Sequence, residues 1–194
     1  MSKKTMGPQT MLFPKPVVLV GANVNDTPDF TTVAFAGIVC AEPPMIAIGL
    51  QHHRYILKGI RQNMTFSINI PSADLVKETD YCGIVSGAKT DKVRDCRFKV
   101  FYGGLAGAPL IEQCPVNLEC EVLHILNLGS HEVIIGRIKE SHVSETCLTE
   151  GQPDIMKINP IVFSRGSTSK YNATGEFLAE AFSIGKELKV GEKT

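Results

Sequence analysis

Several features that would mark a particular chemistry are missing from this sequence of 194 residues. It contains no Trp, so an aromatic surface for a flat ligand must come from Phe or Tyr. No apolar run approaches the roughly 20 residues that a membrane-spanning helix needs, and the first residues do not follow the pattern of a secretory signal peptide. We therefore expect a cytoplasmic protein that does not bind a membrane.

The charge balance and the spacing of the cysteines argue against two further classes of protein, those that bind nucleic acid and those that bind a metal. Lys plus Arg and Asp plus Glu each number 20, for a formal net charge of zero, which argues against the broad basic surface of a nucleic-acid-binding protein. The six cysteines contain no Cys-x-x-Cys pair, and no His stands at ligand spacing from a Cys or carboxylate. We expect reduced thiols, several of them buried, and no metal site.

Motifs for nucleotide binding and for serine hydrolysis are also missing. Residues 103–107 are glycine-rich but lead into Pro109 rather than into a helix. Residues 83–90 lack the spacing of a P-loop and follow a predicted helix instead of a strand. There is no Gly-x-Ser-x-Gly elbow. A Rossmann fingerprint, a P-loop and an α/β-hydrolase are therefore excluded.

Short strand patterns dominate what is present. Residues 64–70 and 116–122 alternate apolar and polar side chains, and the second pattern changes phase at Leu123, which predicts a β-bulge. Further strands are predicted at 17–20, 45–50, 131–138 and 161–163, and helices at 53–62, from Ser72 through about residue 85, near Thr90 and at 175–182. Many short strands with few helices and no linker predict one mainly β domain over 1–194, a barrel rather than a doubly wound sheet.

Two polar segments suit a flat aromatic ligand. In residues 29–37, the small residues around Phe35 would let a ring lie close to the backbone, although the same pattern fits an ordinary edge strand. In residues 129–131, the imidazole of His131 stands at a strand start. It could donate to a ring carbonyl, or it could be a surface hairpin residue.

A third polar segment, residues 86–92, suits a phosphate. A phosphate group needs a cation, hydroxyl donors and backbone N–H groups in a turn. Lys92 is the cation, Ser86 and Thr90 carry the hydroxyls, and Gly87 permits the turn. A solvated loop between two helices has the same composition, so both interpretations stay open.

A collinear series of motifs joins these segments. The series is Pro14-x-Pro16, Thr32-x-Ala34-x-x-Gly37-Ile38, Pro43-Pro44, Asn69-Ile70-Pro71-Ser72, Asp80-Tyr81-x-Gly83-Ile84, Ser86-Gly87, Asp91-Lys92, Gly129-x-His131, Pro160-Ile161, Gly175-Glu176-Phe177-Leu178 and Ala181-Phe182-Ser183-Ile184-Gly185-Lys186. In order and spacing it resembles the flavin reductase family, and within it the flavoredoxin-like branch. The resemblance covers nearly the whole chain, and its specificity lies in the series rather than in any one motif.

The resemblance implies an antiparallel Greek-key split barrel with a few inserted helices, which binds FMN near the subunit interface of a homodimer. The implied cofactor-binding residues are Thr32, Val33, Ala34 and Phe35 along the isoalloxazine ring, Ser86, Gly87 and Lys92 at the phosphate, His131 and Phe163 from another side, Tyr55 and Ile56 in a further stretch, and the neighbouring Asp29, Thr31 and Gly83.

Three positions depart from the family's pattern. Phe35 stands where relatives often carry Trp, and Ile56 stands where a Thr is common, so a hydroxyl contact is lost there. Asp29 replaces an Asn, which puts a negative charge near the ring. These departures leave FMN binding expected and put the redox potential in question.

The function that the resemblance implies is that of a flavin-dependent oxidoreductase, which takes electrons from NAD(P)H or from a ferredoxin-like protein. The flavin itself carries the chemistry, so we predict no catalytic residue and treat His131 as a residue that tunes the flavin. Two alternatives are a flavin- or haem-binding split-barrel module without turnover and a purely structural or interaction barrel, because one fold serves several roles.

Overall fold

Antiparallel strands predominate in residues 1–189, which the computed structural model of the chain describes. The strands are β1 (Lys15–Pro16), β2 (Val18–Val24), β3 (Thr27–Val33), β4 (Ala36–Ala41), β5 (Pro44–Gln51), β6 (Thr65–Ile70), β7 (Val100–Phe101), β8 (Leu110–Ile111), β9 (Val116–Leu128), β10 (His131–Val143), β11 (Leu148–Thr149), β12 (Gln152–Pro153), β13 (Ile161–Arg165) and β14 (Ser169–Ala173). The α-helices are α1 (Leu57–Asn63), α2 (Val76–Ile84), α3 (Lys92–Asp95) and α4 (Ile155–Ile158), and 3-10 turns lie at Ala73–Leu75, Glu145–Cys147 and Ile184–Lys189.

The central sheet has seven strands in the order β3-β2-β6-β9-β10-β5-β4, and each neighbouring pair is antiparallel. Its two edges, β3 and β4, are consecutive in the chain and are separated by Ala34 and Phe35 alone. The sheet therefore curls until its edges approach each other. The Gly49 N–H donates to the Phe35 carbonyl oxygen at 2.7 Å, which extends the β4–β5 pairing into the connection between the edges. This arrangement confirms the predicted antiparallel split barrel with inserted helices.

Strand β6 is buried on both faces, although its alternation is the pattern of a half-exposed strand. Phe66 and Ile68 are 0% and 1% exposed and belong to the main core. Ser67 and Asn69, on the opposite face, are both 0% exposed. The polar face is satisfied by hydrogen bonds, one of which joins the Asn117 amide nitrogen to Asn69 Oδ1 at 2.7 Å.

The predicted β-bulge lies in the hairpin of β9 and β10. Ile135 pairs with His124, whereas the next residue, Gly136, pairs with Val122. Leu123 is therefore skipped by the ladder, which confirms the bulge at that residue. The extra residue explains why the alternation of β9 changes phase there.

Two of the predicted helices begin later than expected. Helix α1 begins at Leu57 rather than at residue 53, and residues 53–56 form turns instead. The apolar face that can pack against the barrel starts only at Ile56 and Leu57, which are 0% and 1% exposed. Ser72 stands at the N-cap position but makes no capping hydrogen bond, and a 3-10 turn precedes α2.

The predicted helix at 175–182 is wrong. Residues 174–180 have no regular structure, and a 3-10 turn begins at Ile184. Phe177 and Leu178 are 71% and 94% exposed, and a helix this short is unstable without an apolar face packed against a partner. No helix within residues 1–189 is long and apolar enough to cross a membrane.

Helices α2 and α3 pack against β2 and β3 through a second core cluster. Its fully or nearly fully buried members include Leu19, Phe30, Cys82, Phe98 and Ile111. Phe30 and Phe98 pack edge to face, with ring centroids 5.8 Å apart. This cluster fixes the two helices over β3 and so shapes the recess between them.

Candidate functional site

A cavity of about 140 Å³ opens where β3, the turn before α1, the end of α2 and the start of α3 meet. We call it the inner cavity; it is lined by Asp29, Thr31, His53, Arg54, Tyr55, Ile56, Ile84, Val85, Ser86, Gly87 and Lys92. A second recess of about 380 Å³, the outer recess, shares four of these residues and continues past Lys89, Thr90 and Asp91 to Asn25. Seven of the predicted site residues therefore lie around one cavity.

A buried ion pair forms one wall of the inner cavity. Lys92 begins α3 after the N-cap Asp91, whose carboxylate accepts from the Arg94 N–H at 3.0 Å. The Lys92 and Asp29 side chains are only 3% and 7% exposed, and Lys92 Nζ lies 3.1 Å from Asp29 Oδ1. Lys92 also donates to the Phe30 carbonyl oxygen at 2.6 Å. The lysine that the sequence assigns to a phosphate is thus already bonded to two protein acceptors.

Burial raises the pKa of the Asp29 carboxyl above its ordinary value, and the adjacent Lys92 offsets part of that shift. Gly87 lies directly against this carboxylate, because a Cβ built there would overlap the Asp29 side chain. A glycine is therefore required at this wall if the carboxylate is to keep its position. The sequence alone does not show this steric requirement at Gly87.

Two buried polar atoms of the inner cavity have no hydrogen-bond partner within residues 1–189: Asp29 Oδ2 and Thr31 Oγ1. Leaving a buried acceptor or hydroxyl unpaired costs about 1–3 kcal/mol each. Both residues are on β3 and both line the cavity. A hydroxyl group within hydrogen-bond distance would pair with either atom.

The segment after α2 is a compact turn rather than a loose loop. The N–H groups of Lys89 and Thr90 donate to the Ser86 carbonyl oxygen at 2.9 and 3.2 Å. The Thr90 hydroxyl donates to the same oxygen at 3.2 Å, and the Ala88 N–H donates to Ser86 Oγ at 3.3 Å. The turn presents Ser86 and Gly87 to the cavity in a defined position.

Arg54 is a cavity residue that the sequence analysis missed. Its Nη1 donates to the Gly83 carbonyl oxygen at 2.7 Å, which ties the turn before α1 to the end of α2. Gly83 in turn lies against Thr32, whose hydroxyl donates to the Thr79 carbonyl oxygen. Since a guanidinium carries five N–H donors, Arg54 keeps donors for an anion. Its position beside Tyr55 was the signal that could have found it.

A second group of predicted residues lies where the sheet edges meet. Phe35 is 42% exposed, and its ring centroid is 5.3 Å from that of His131, with the planes tilted by 35°. Lys15 Nζ lies 5.3 Å from the centroid of the Phe35 ring. Ala34 lines the recess that the N-terminal segment forms beside Phe35. An exposed aromatic face is thus flanked by one cation and one imidazole.

The turn before His131 is held in place by His52. His52 Nε2 lies 2.7 Å from the Gly129 carbonyl oxygen, and Nδ1 lies 3.2 Å from the Glu132 carboxylate. Both neighbours are acceptors, so the protonated ring, which donates from both nitrogens, suits this position. The pKa of His52 is raised mainly by the hydrogen bond to Gly129 and next by the hydrogen bond to Glu132.

The structure does not bring every predicted residue to a ligand surface. Val33 is 4% exposed and Ile56 is 0% exposed, and both side chains pack in the main core. Neither side chain therefore presents a surface to a ligand. Phe163 pairs with Lys15 across β1 and β13 and packs against Tyr171 at 5.9 Å. It lines neither the inner cavity nor the outer recess.

The fold and the cavity define a split-barrel protein with a cavity between β3 and the helices packed on it. Residues 10–171 match the family model described as the flavin reductase like domain, and the chain belongs to that family. This membership confirms the family that the motif series predicts.

The similar solved structures narrow the family to one branch. The chain is 36% identical to flavoredoxin from Methanosarcina acetivorans, with a TM-score of 0.92 over 97% of this chain and 100% of that one. It is 37% identical to flavoredoxin of Desulfovibrio vulgaris (Miyazaki F), with a TM-score of 0.88 over 95% and 100%. An uncharacterized protein of Archaeoglobus fulgidus is 27% identical over 145 residues, 74% of this chain and 80% of that protein. The chain lies in the flavoredoxin-like branch, as predicted.

Proposed function

We propose that this chain binds FMN and transfers electrons through it, as a flavin-dependent oxidoreductase of the flavoredoxin kind. The unpaired buried atoms Asp29 Oδ2 and Thr31 Oγ1 carry the proposal. The ribityl chain of FMN bears hydroxyls, which can donate to a carboxylate oxygen and can both donate to and accept from a threonine hydroxyl. A cavity with two such atoms in a chain of this family fits that part of the cofactor.

For the phosphate end, the inner cavity offers the Ser86 hydroxyl, the Gly87 turn and the spare donors of Arg54. Lys92 is also at the wall, but Asp29 neutralises it in part. We propose that Arg54 and Ser86 share the phosphate with Lys92. A guanidinium binds phosphate through two parallel N–H groups, which an ammonium does not.

For the isoalloxazine ring, the exposed face of Phe35 is the proposed contact, with Ala34 beside it. The His131 ring centroid and Lys15 Nζ each lie 5.3 Å from the centroid of the Phe35 ring. A positive charge near the ring stabilises a reduced, anionic flavin. Bound FMN supplies the hydride and electron chemistry, so these side chains position the ring and set the charge around it.

An absorbance spectrum tests the proposed cofactor. Purified protein should be yellow, and denaturation should release FMN. A colourless protein that does not bind added FMN would refute the proposal. Titration with FMN and with riboflavin, which lacks the phosphate, separates the contribution of the phosphate end from that of the ring.

The electron donor is either NAD(P)H or a ferredoxin-like protein, and anaerobic bleaching distinguishes them. Bleaching by NADH or NADPH would indicate a reductase. Reduction by a ferredoxin-like donor, with no bleaching by either nicotinamide, would indicate an electron carrier. A cytoplasmic location stays a prediction from the sequence.

We also propose that the chain forms a homodimer through the edge strand β4. Ile38 and Val39 of this strand are 63% and 55% exposed, and Leu128 nearby is 56% exposed. An exposed apolar edge strand is normally covered by a partner. Phe35 and His131 border the same surface, so a partner there would also cover the ring end of the site.

Light scattering after size-exclusion chromatography tests the dimer. We expect Ile38→Glu to give a monomer that binds FMN more weakly. Met156→Glu, at a residue of α4 that is 57% exposed, is the matched control and should stay dimeric. A wild-type monomer, or dimers of both variants, would contradict an interface at β4.

A further inference from the structure

Two cysteines face each other in the second core cluster, which packs helices α2 and α3 onto the sheet. Cys82 is in the last turns of α2, and Cys96 is the C-cap of α3. Their Sγ atoms are 4.0 Å apart. Cys82 is 0% exposed, whereas Cys96 is only partly buried. Cys96 is therefore the more exposed residue of the pair.

The pair is close enough for a disulfide after a small movement. A disulfide needs an S–S distance of about 2.05 Å, so the two sulfur atoms must approach by about 2 Å. Cys96 ends a four-residue helix and is followed by Arg97, whose φ is 53°. The end of a short helix can shift without breaking any strand pairing of the central sheet.

We propose that Cys82 and Cys96 form a reversible disulfide that modifies the wall of the candidate site. The oxidant is a low-molecular-weight disulfide. The Cys96 thiolate attacks one of its sulfur atoms and releases one thiol, which leaves a mixed disulfide on Cys96. Cys82 then attacks the Cys96 sulfur and releases the second thiol. The two protein thiols lose two electrons and two protons, and the two released thiols carry them.

The new bond would connect the two ends of the segment that carries Ser86 and Gly87. It would also move Lys92, because the Cys96 N–H donates to the Lys92 carbonyl oxygen at 3.0 Å within α3. Lys92 Nζ holds the Asp29 carboxylate at 3.1 Å. Oxidation at Cys96 thus reaches the ion pair in the cavity wall. The inference for FMN, which rests on the proposed function, is that the oxidised form binds it more weakly.

The first experiment detects the bond without FMN. Fully reduced protein is treated with oxidised glutathione at mildly alkaline pH, because burial raises the pKa of both thiols. We expect a mass loss of about 2 Da, a Cys82–Cys96 cross-linked peptide, and reversal by dithiothreitol. Cys82→Ala should keep a glutathione adduct on Cys96, and Cys40→Ser, which changes the other partly buried cysteine, should still form the bond.

The second experiment measures FMN affinity of the reduced and oxidised forms by flavin fluorescence. We expect the oxidised form to bind about fivefold more weakly or worse, with recovery after reduction and no effect of oxidant on Cys96→Ser. No cross-link, or a cross-link between other cysteines, overturns the proposed site. A cross-link with unchanged affinity overturns the coupling to the cavity. If neither form binds FMN, the proposed function fails while the cross-link still supports the disulfide.

Discussion

The Lys92–Asp29 ion pair offers the sharpest prediction, since both side chains are almost completely buried. Lys92→Met keeps most of the volume of the side chain and removes its charge. Asp29 then loses the cation 3.1 Å away, and the Phe30 carbonyl oxygen loses a donor at 2.6 Å. Removal of one partner from a buried ion pair costs about 3–5 kcal/mol.

The lower end of that range applies here because Asp29 can become protonated, which removes the unpaired buried charge. Burial already raises the pKa of this carboxyl in the wild type, and Lys92 lowers it in part. In Lys92→Met the pKa should therefore rise further. A carboxyl with a raised folded-state pKa favours the folded protein as pH falls through that value. We expect a loss of about 3 kcal/mol at pH about 8 and a smaller loss at pH about 5.

Urea unfolding of the cofactor-free protein at both pH values measures this loss. The matched control is the double variant Lys92→Met with Asp29→Asn, in which neither buried group is charged. Most of the lost free energy of unfolding should return, because the cost comes from the unpaired charge. If the double variant is as unstable as the single one, or if the loss does not depend on pH, the assignment of the ion pair as the cause is wrong.

The same variant tests the role of Lys92 toward the cofactor. A hydrogen bond to a charged group contributes about 1.5–3 kcal/mol, so Lys92→Met should weaken FMN about tenfold or more and riboflavin much less. Equal losses for both ligands would show that Lys92 supports the cavity wall rather than the phosphate. In that case Arg54→Met, measured in parallel, should weaken the binding of FMN but not that of riboflavin.

Two further predictions concern the walls of the site and its neighbouring turn. Gly87→Ala places a Cβ against the Asp29 carboxylate, so we expect about a tenfold loss of FMN affinity in a spectroscopic titration. The control is Gly166→Ala, where a Cβ meets no atom of the described residues within 4 Å, and this variant should bind FMN normally. Equal affinity of both variants would count against the steric argument. The pKa of His52 is raised mainly by the hydrogen bond to Gly129 and next by the hydrogen bond to Glu132. The protonated ring should therefore stabilise the fold below the ordinary pKa of histidine, and this stabilisation should be lost as pH rises through the raised pKa. The urea midpoints of wild type and His52→Gln should converge at alkaline pH, and a difference that stays constant across pH would contradict this prediction.

Local sequence patterns were sufficient to predict most of the strands and the β-bulge. The alternation of residues 64–70 and the phase change at Leu123 depend on which side chains share a face, and that information is contained in a few consecutive residues. The family motifs were sufficient to predict the fold class, because they occur in order over nearly the whole chain. The helix at 175–182 failed because its periodic apolar residues have no surface to pack against within the described residues.

Contacts between distant residues decided the rest. Nothing in the pattern of β6 indicates that Ser67 and Asn69 are buried, since a polar face says only that its partners are polar or water. One hydrogen-bond partner of Asn69 is Asn117, 48 residues away. A single sequence carries no local trace of a contact at that separation.

For the candidate site, too, the sequence determined some features and the tertiary structure decided the others. The residue types of the segments around Phe35, Ser86 and Lys92, and their order in the chain, determined the family and the expected cofactor. Only the tertiary structure decided that the Lys92 ammonium is bonded to Asp29 and to a carbonyl oxygen 62 residues earlier. It also decided that Asp29 Oδ2 and Thr31 Oγ1, at the inner cavity, are left without hydrogen-bond partners among residues 1–189. The reason is physical: a side chain's charge is a property of the residue, whereas its burial and its partner are properties of the packed fold.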